Sequence, residues 1–169
     1  MKDTKEIFLI VLITTKDRPQ KLQRALQSIS NQKLVPDVVI IISDCSNKFK
    51  ILTNRVILQF ENNLRILHLK NRRSSNMSGS INTALAFVKN SHYNNDKTFI
   101  ALLDDDDWWD DTYLLNCRNF FIDNKVEWVI SGIIRHDEKY PNGVFQQIPD
   151  KITVDDFLTT NPNIQNSNL

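Results

Sequence analysis

The sequence predicts an α/β fold: a mostly parallel sheet flanked by helices, with a C-terminal hairpin. Three largely apolar runs, at residues 7–13, 37–44 and 99–103, lack the alternation of a half-exposed strand and fit strands buried on both faces. Segments with helical spacing of apolar residues lie between these runs. Because strands that alternate with helices form parallel sheets with right-handed crossovers, we expect the runs to lie side by side.

The first strand is expected at residues 7–13 and ends in a polar loop at residues 14–19. Pro19 suits the first turn of a helix, where a backbone N–H is not needed. Apolar residues then recur at helical spacing, at Leu22, Ala25, Leu26 and Ile29. The opening of the chain therefore predicts one βα unit.

The middle of the chain repeats this alternation. The expected order is strand, helix, strand, basic loop and helix, at residues 37–44, 49–58, 65–69, 70–79 and 80–90. The second strand ends in an acid, Asp44, and the basic loop contains Arg72 and Arg73. These two arginines give the loop a local excess of positive charge.

The C-terminal part is expected to contain the acidic strand, a helix, a strand, a hairpin turn and a helix cap. Their positions are residues 99–107, 111–123, 126–134, 141–143 and 153–156. Polar residues without periodicity follow the cap. We therefore expect one domain over residues 1–158 and a polar C-terminal tail at residues 159–169.

Composition narrows the range of functions. With 169 residues and a net charge of +1, the chain has no overall field that would favour nucleic acid or an anionic membrane. The apolar run at residues 7–13 is too short to span a bilayer and does not follow a signal-peptide pattern, so a cytoplasmic location is expected. Only 3 glycines are present, which excludes a GxGxxG or P-loop nucleotide site.

Four consecutive acids, Asp104 to Asp107, follow the strand at residues 99–103 and precede Trp108 and Trp109. Ligands of parallel α/β sheets bind beyond the carboxyl ends of the strands. Adjacent carboxylates repel one another unless a cation compensates them, and hard oxygen donors suit Mg²⁺ or Mn²⁺. The alternative is a solvated acidic loop that leads into the next helix.

Four sequence pieces together resemble family 2 glycosyltransferases of the inverting GT-A class. They are Thr14 to Pro19 after the first strand, Ser43 and Asp44 after the second, Ser78 to Ala84 at the start of a helix, and Leu103 to Trp109. Their order and spacing match over nearly the whole chain. The resemblance implies a GT-A-like fold that is truncated before the acceptor half, which carries the catalytic base in the family.

The resemblance also implies roles for individual residues. Thr15 and Asp44 would hold the nucleotide base and ribose, and Asn82 matches the asparagine of the motif that opens a helix. The DxD motif maps to Asp104, near the ribose, and Asp106, as ligand of Mn²⁺ or Mg²⁺. Asp105 is given no direct role and Asp107 a supporting one.

The sequence departs from the family at two positions. Lys16 stands where the family often has an aromatic residue, and Ile81 where it commonly has an arginine. No catalytic base is assigned: Asp137 and Glu138 are the nearest acids, and they fit equally the solvated turn of a hairpin. Trp108 and Trp109 fit either a sugar pocket or the core.

The expected function is binding of a nucleoside-diphosphate sugar through a divalent metal, with a UDP-sugar as the expected donor, for transfer to a saccharide, lipid or protein acceptor. A homo-oligomer or a partner chain is expected to cover the incomplete sheet. Two alternatives remain. One is an inactive remnant or sugar-nucleotide-binding module, and the other is a nucleotidyltransferase, which would need a glycine-rich loop that residues 14–19 do not provide.

Overall fold

The computed structural model describes residues 7–159 and 164–168. Residues 1–6 at the start of the chain, and residues 160–163 and 169 of the predicted tail at residues 159–169, thus lie outside the described residues. Within them the elements are β1 (Phe8–Thr15), α1 (Pro19–Ser30), β2 (Val38–Ser43), α2 (Asn47–Leu58), β3 (Ile66–Lys70), α3 (Met77–Lys89), β4 (Thr98–Asp104), α4 (Tyr113–Asn124), β5 (Ile133–Arg135), β6 (Val144–Gln146), α5 (Val154–Thr159) and a 3₁₀ turn (Asn166–Asn168).

The predicted fold class is confirmed. β3, β2, β1 and β4 form a four-stranded sheet in that order, and every pairing within it is parallel. β5 and β6 form a separate antiparallel hairpin, with Ile134 opposite Phe145. Its turn contains Gly143 at φ 82°, a conformation that favours glycine.

Both faces of the sheet are buried, which explains why the central strands are apolar without alternation. On one face, odd-numbered residues of β1 such as Val11 and Ile13 pack with α1, α2 and Leu114 of α4. On the other face, Ile10 and Leu12 pack with Ala84 of α3 and with neighbouring β2 residues. The sheet is thus the middle layer of a three-layer α/β structure.

The register of the strands places their polar ends together. Thr15 at the end of β1 lies opposite Ser43 of β2, and Thr14 lies opposite Asp104 of β4. The carboxyl ends of the three strands therefore meet at one edge of the sheet, as the order of elements predicts. The loops that follow these strands form the site described below.

Two predicted boundaries need correction. The helix expected from Ser80 begins one turn earlier, at Met77, because the side chain of Asn76 accepts a 2.7 Å hydrogen bond from the Gly79 N–H and caps it. The strand expected at residues 126–134 is wrong for residues 126–132, and only Ile133–Arg135 is a strand. An apolar pattern predicts burial, whereas a strand also needs a backbone partner, which that segment does not have here.

The helix cap predicted at residues 153–156 is confirmed, because the Thr153 N–H and hydroxyl both donate to Oδ2 of Asp156, at 2.7 and 2.8 Å. Among the described residues, no helix combines the length and apolar character that crossing a bilayer requires.

Candidate functional site

The four acids after β4 have very different surroundings. Asp104, the last residue of β4, is half-buried, and Asp105 is 0% exposed. Asp106 and Asp107 are again partly exposed. The acidic run is therefore not a uniformly solvated loop, because one of its carboxylates lies in the interior.

Asp105 is the buried acid, although the family resemblance assigns it no direct role. The Thr15 hydroxyl donates a 2.6 Å hydrogen bond to its Oδ2, and Arg18 lies 2.5 Å from its Oδ1. Burial raises the pKa of this carboxyl, while the Thr15 hydrogen bond and the Arg18 charge act in the opposite direction. Thr15, which the resemblance assigns to the nucleotide, thus has its hydroxyl bonded to the protein, and only 4% of the residue is exposed.

Asp106 is held by cations at the start of α1. Its Oδ2 accepts hydrogen bonds from Arg18 at 2.9 Å and from Lys21 at 3.1 Å, and Arg24 donates to its backbone carbonyl. Burial acts to raise the pKa of Asp106, but the Lys21 hydrogen bond and the charges of Arg18 and Lys21 outweigh it and leave the pKa below its usual value. Asp106 is therefore ionised at neutral pH.

We call these three cations the basic face of α1: Arg18, which is the N-cap residue, together with Lys21 and Arg24 of the helix. They recur every three residues, so they lie on the same side of the helix. The guanidinium of Arg24 also lies 4.2 Å from the ring centroid of Trp108, within cation–π range. The charge repulsion expected among the four acids is thus offset in part by this chain's own side chains.

Asp104 meets the last described residues of the chain. The Asn166 side chain donates a 3.2 Å hydrogen bond to Oδ1 of Asp104. The backbone N–H of Asp104 donates to the Ser167 hydroxyl at 2.9 Å. The indole of Trp109 donates to the Ser167 carbonyl at 2.7 Å, which places this tryptophan in the core. Burial raises the pKa of Asp104, the Asn166 hydrogen bond lowers it, and the neighbouring acids raise it further.

Asp44 lies where β2 ends, as predicted. The Ser75 hydroxyl donates to its Oδ2, and Lys16 lies 3.7 Å from the same oxygen. Lys16, found where the family often has an aromatic residue, therefore forms an ion pair instead of offering a stacking surface. The adjacent Asp17 adopts φ 56° and accepts a 2.8 Å hydrogen bond from the Ser46 N–H, which joins the loops after β1 and β2.

The basic loop before α3 is fixed by a buried asparagine. Oδ1 of Asn71 accepts from the Thr83 hydroxyl at 2.9 Å, and its amide donates to the Ser74 carbonyl at 2.9 Å. Arg72 and Arg73 remain exposed on this loop. The loop that carries them is thus an ordered part of the site edge.

Asn82 and Ile81, the two residues of the motif that opens α3, have different surroundings. Asn82 is exposed on α3. Ile81, at the position of the family's arginine, lines a small cleft together with Thr14, Asp104 and Asn166. An apolar side chain therefore lines the same cleft as Asp104.

A cavity of about 730 Å³ opens beside the acidic run. Asp106 and Trp108 line one side of it, and hairpin residues including His136 line the other. Asp137, one of the two acids considered as a base, forms a 2.6 Å ion pair with Arg135 and accepts backbone hydrogen bonds within the hairpin turn. Its carboxylate therefore stabilises the hairpin turn, which is the alternative to a catalytic base considered above.

The donor set suits a hard divalent cation only in part. No group of three or more acidic, histidine or cysteine side chains able to hold a metal occurs among residues 7–159 and 164–168. Carboxylates such as Asp106 could supply one or two ligands, and Mg²⁺-type sites commonly complete their coordination with phosphate oxygens and water. The residues present therefore fit a cation that arrives together with a diphosphate.

Comparison with known proteins identifies the family. The sequence model described as Glycosyl transferase family 2 matches residues 10–167. The chain belongs to glycosyl transferase family 2. No curated protein sequence matches the chain.

Solved structures of glycosyltransferases share the GT-A-like fold of this chain. The mannosyltransferase PcManGT from Pyrobaculum calidifontis, in complex with GDP-Man and Mn²⁺, is 16% identical, with a TM-score of 0.61 over 79% of this chain and 37% of that one. S. aureus TarS 1–349 is 18% identical, with a TM-score of 0.55 over 70% of this chain and 33% of that one. The TarS complex with UDP-GlcNAc is 17% identical, with a TM-score of 0.54 over 70% and 32%. This family 2 chain thus spans about a third of the length of these structures.

The sequence did not identify the basic face of α1 or the contacts of residues 166–167. A signal for the first was present, since Arg18, Lys21 and Arg24 share one helical face directly after the strand-one loop. For Asn166 and Ser167 the sequence offers none, because the segment is polar and without periodicity.

Proposed function

We propose that this chain is the nucleotide-sugar-binding part of a glycosyltransferase that uses a UDP-linked donor and inverts the anomeric centre. The observation that carries the proposal is the meeting of Asp44, Asp104 and Asp106 at the edge where β1, β2 and β4 end. That edge is where ligands of parallel α/β sheets bind. Complexes of the structural neighbours with UDP-GlcNAc and with GDP-Man and Mn²⁺ support the same class of donor.

Each side chain has a proposed task at this edge. The Asp44 carboxylate would accept a hydrogen bond from the uracil N–H, once the nucleotide displaces Ser75 or Lys16 from it. Asp104 would accept from a ribose hydroxyl, and Thr15 and Asn82 would complete the nucleotide contacts. Thr15 would act through its backbone, because its hydroxyl is bonded to Asp105.

Asp106 is the proposed ligand of Mn²⁺ or Mg²⁺. A divalent cation bound there would supply Lewis-acid stabilisation of the nucleoside-diphosphate leaving group. Asp106 is ionised and partly exposed, and both properties suit a ligand that reaches a metal from the solvent side.

The domain limits and partners are also proposals. Residues 1–158 would form the nucleotide-sugar-binding domain and residues 159–169 a tail, part of which packs on β4. The acceptor would be a saccharide, a lipid or a protein. The chain would be located in the cytoplasm and would not bind nucleic acid. Self-association or a partner chain would cover the exposed apolar side chains of the hairpin, Ile134 and Phe145. Sedimentation velocity across the micromolar range measures this, and a monomer throughout would contradict self-association.

The second candidate is a binding module without turnover. It is favoured by Lys16 and Ile81, which replace an aromatic residue and an arginine of the family, and by the use of Asp137 in the hairpin turn. Such a module would bind the nucleotide sugar and release it unchanged.

The test is calorimetric titration of UDP into the chain, with Mn²⁺ present and with it chelated. The proposal expects binding that needs Mn²⁺ and is lost in Asp106→Asn. Asp111→Asn, at an exposed acid paired with Lys33, is the control and should bind as the wild type does. GDP in place of UDP tests the base preference. No binding of UDP, GDP or dTDP would overturn the proposal.

An assay of UDP-sugar hydrolysis then separates the two candidates. Slow release of free sugar that requires Asp106 would favour the transferase. Tight, metal-dependent binding without any hydrolysis would favour the binding module.

A further inference from the structure

Helix α2 carries large apolar side chains on two opposite sides. Val56 and Ile57 are buried in the core that the sheet shares with α1. Ile51 and Leu58, by contrast, are 64% and 61% exposed. Because an α-helix turns by about 100° per residue, these two side chains, seven residues apart, lie on one side of α2 that points away from the core. The packing of the domain therefore does not account for them.

Three cations lie beside this apolar pair. Lys48 and Arg55 are also seven residues apart, so they form a second row along α2, next to the apolar one. Lys50 lies on the other side of the pair. All three cations are exposed, and α2 contains no acidic residue. We call the surface formed by Ile51, Leu58 and these three cations the outer face of α2.

The chain itself does not neutralise the cations of this face. Among residues 7–159 and 164–168, none of the three forms an ion pair with an acid, and Lys48 lies instead 5.4 Å from the ring centroid of Phe49. The next acid in the sequence, Glu61, lies beyond the end of α2. Several exposed cations elsewhere do pair with acids, namely Lys16, Lys21, Lys33 and Arg135. Although the whole chain has a net charge of only +1, the outer face of α2 thus presents a local excess of positive charge.

A partner for this face has to satisfy apolar side chains and cations together. An anionic lipid surface does so, because aliphatic side chains enter the boundary of the acyl chains while the long stems of lysine and arginine reach the phosphates above it. A second copy of the chain does not, because two outer faces in contact would bring Lys48 and Arg55 against like charges. Charge complementarity therefore favours the lipid surface.

We propose that the outer face of α2 docks on a membrane surface that contains anionic lipids. Ile51 and Leu58 enter the interface, and the three cations contact the headgroup phosphates. α2 begins at Asn47, shortly after Asp44 at the edge where β1, β2 and β4 end, so docking brings this edge of the sheet close to the membrane. Docking needs neither nucleotide nor metal and is therefore independent of the proposed function.

The test is cosedimentation of the full chain with sucrose-loaded vesicles at low ionic strength. Vesicles of phosphatidylcholine and phosphatidylglycerol in equal parts should bind the chain, and vesicles of phosphatidylcholine alone should not. Lys48→Gln with Arg55→Gln should lower the partition coefficient about 25-fold, because each basic residue near an anionic surface contributes about fivefold. Ile51→Gln with Leu58→Gln should lower it by at least about tenfold, because the apolar contact is lost. Raised salt should weaken the binding of the wild type.

The matched control compares the same kind of pair on two helices. Ile51→Gln with Arg55→Gln removes an exposed aliphatic side chain and a cation four residues later from the outer face of α2. Leu85→Gln with Lys89→Gln removes such a pair from α3, which packs on the opposite face of the sheet. The α2 variant should bind anionic vesicles at least about tenfold more weakly than the wild type, and the α3 variant should stay within about twofold of it. All these positions are exposed, so circular dichroism should show the wild-type fold in each variant.

Three results would overturn the docking role. The first is an equal loss in the α2 and α3 variants, which would mean general attraction to the vesicles. The second is binding that Ile51→Gln with Leu58→Gln leaves unchanged, which would mean adsorption by charge alone. The third is no binding of the wild type to anionic vesicles, and self-association that is lost in Ile51→Gln would then assign the outer face of α2 to a second copy of the chain. Because UDP binding is measured separately, failure of the docking role leaves the proposed function standing, and the reverse also holds.

Discussion

The hydroxyl of Thr15 donates a 2.6 Å hydrogen bond to Oδ2 of Asp105, although the two residues lie 90 positions apart in the chain. The bond joins the end of β1 to the loop after β4. Both residues are buried, with exposed fractions of 4% and 0%. The acidic run is therefore anchored from inside, which fixes where Asp104 and Asp106 emerge.

Because of this hydrogen bond, we expect substitution of Asp105 to lower the stability of the fold, although Asp105 is not expected to contact a nucleotide. Asp105→Ala should lower the free energy of unfolding by about 2 kcal/mol, because it leaves the Thr15 hydroxyl unsatisfied and Arg18 without one of its carboxylates. Urea unfolding followed by circular dichroism measures the change. Asp107→Ala, at a partly exposed acid, is the control and should stay within about 0.5 kcal/mol of the wild type. Equal stability of the two variants would contradict the anchor.

Asp104 and Asp106 should have opposite effects on the pH dependence of stability. Because the pKa of Asp104 is raised in the folded state, its ionisation destabilises the fold as pH rises from the ordinary carboxyl pKa of about 4 through the raised value. Asp104→Asn cannot ionise, so its stability relative to the wild type should increase over that window and then level off. Urea unfolding between about pH 3 and pH 8 measures it.

Asp106 provides the comparison of opposite sign. Its pKa is lowered, so its ionised form contributes stability above the ordinary carboxyl pKa, and this is lost as pH falls through the lowered value. Asp106→Asn should therefore be less stable than the wild type at pH 7, with the difference vanishing in acid. The same trend in both variants would contradict the assigned shifts.

Gly79 should tolerate no larger residue. A Cβ at this position would overlap the carbonyl oxygen of Ser74, a backbone atom in the loop that Asn71 holds in place. Gly79→Ala should destabilise the chain by about 1–3 kcal/mol and weaken nucleotide binding by shifting Arg72 and Arg73. Chemical unfolding and UDP calorimetry measure both effects.

Gly132→Ala is the matched control for that variant. Its Cβ would lie 2.6 Å from the ring of Phe145, which is 64% exposed and can turn aside. The loss should be no more than about 0.5 kcal/mol. If Gly132→Ala were the more damaging of the two, the rigidity ascribed to the basic loop would be wrong.

Deletion of residues 160–169 should expose Trp109, which is 7% exposed and donates to the Ser167 carbonyl. In a background with Trp108→Phe and Trp128→Phe, the deletion should shift the fluorescence emission of Trp109 to the red. Ser167→Ala keeps that carbonyl and should leave the emission unchanged, while it lowers stability by about 1 kcal/mol through the lost bond to the Asp104 N–H. Unchanged emission after deletion would mean that residues 166–168 do not seal the core.

The sequence predicted the parts of this structure that depend on local pattern. Apolar runs located the strands that become β1, β2 and β4, and parallel topology brought Thr15, Asp44 and Asp104 to one edge. Thr153 and Asp156 predicted a helix cap because both partners lie within four residues of each other. Such interactions are short in sequence, so a single chain reveals them.

The parts that escaped prediction depend on pairs distant in sequence. The family resemblance predicts Asp106 as a metal ligand, but it could not show that Lys21, 85 positions earlier, would reach this carboxylate. The sequence pattern did not show that Asp105 is the buried acid, because the packing of β1 against β4 decides which acid points inward. The segment at residues 126–132 is apolar enough for a strand, yet pairing was decided by tertiary structure.

The contact of Asn166 with Asp104 has a practical consequence for handling the protein. A tag or surface attached after residue 168 would emerge beside the first acid of the run and compete with any ligand for the same space. The start of β1 lies at the opposite edge of the sheet, about 25 Å away for a strand of eight residues. Immobilisation through the amino terminus therefore leaves the acidic edge facing solution.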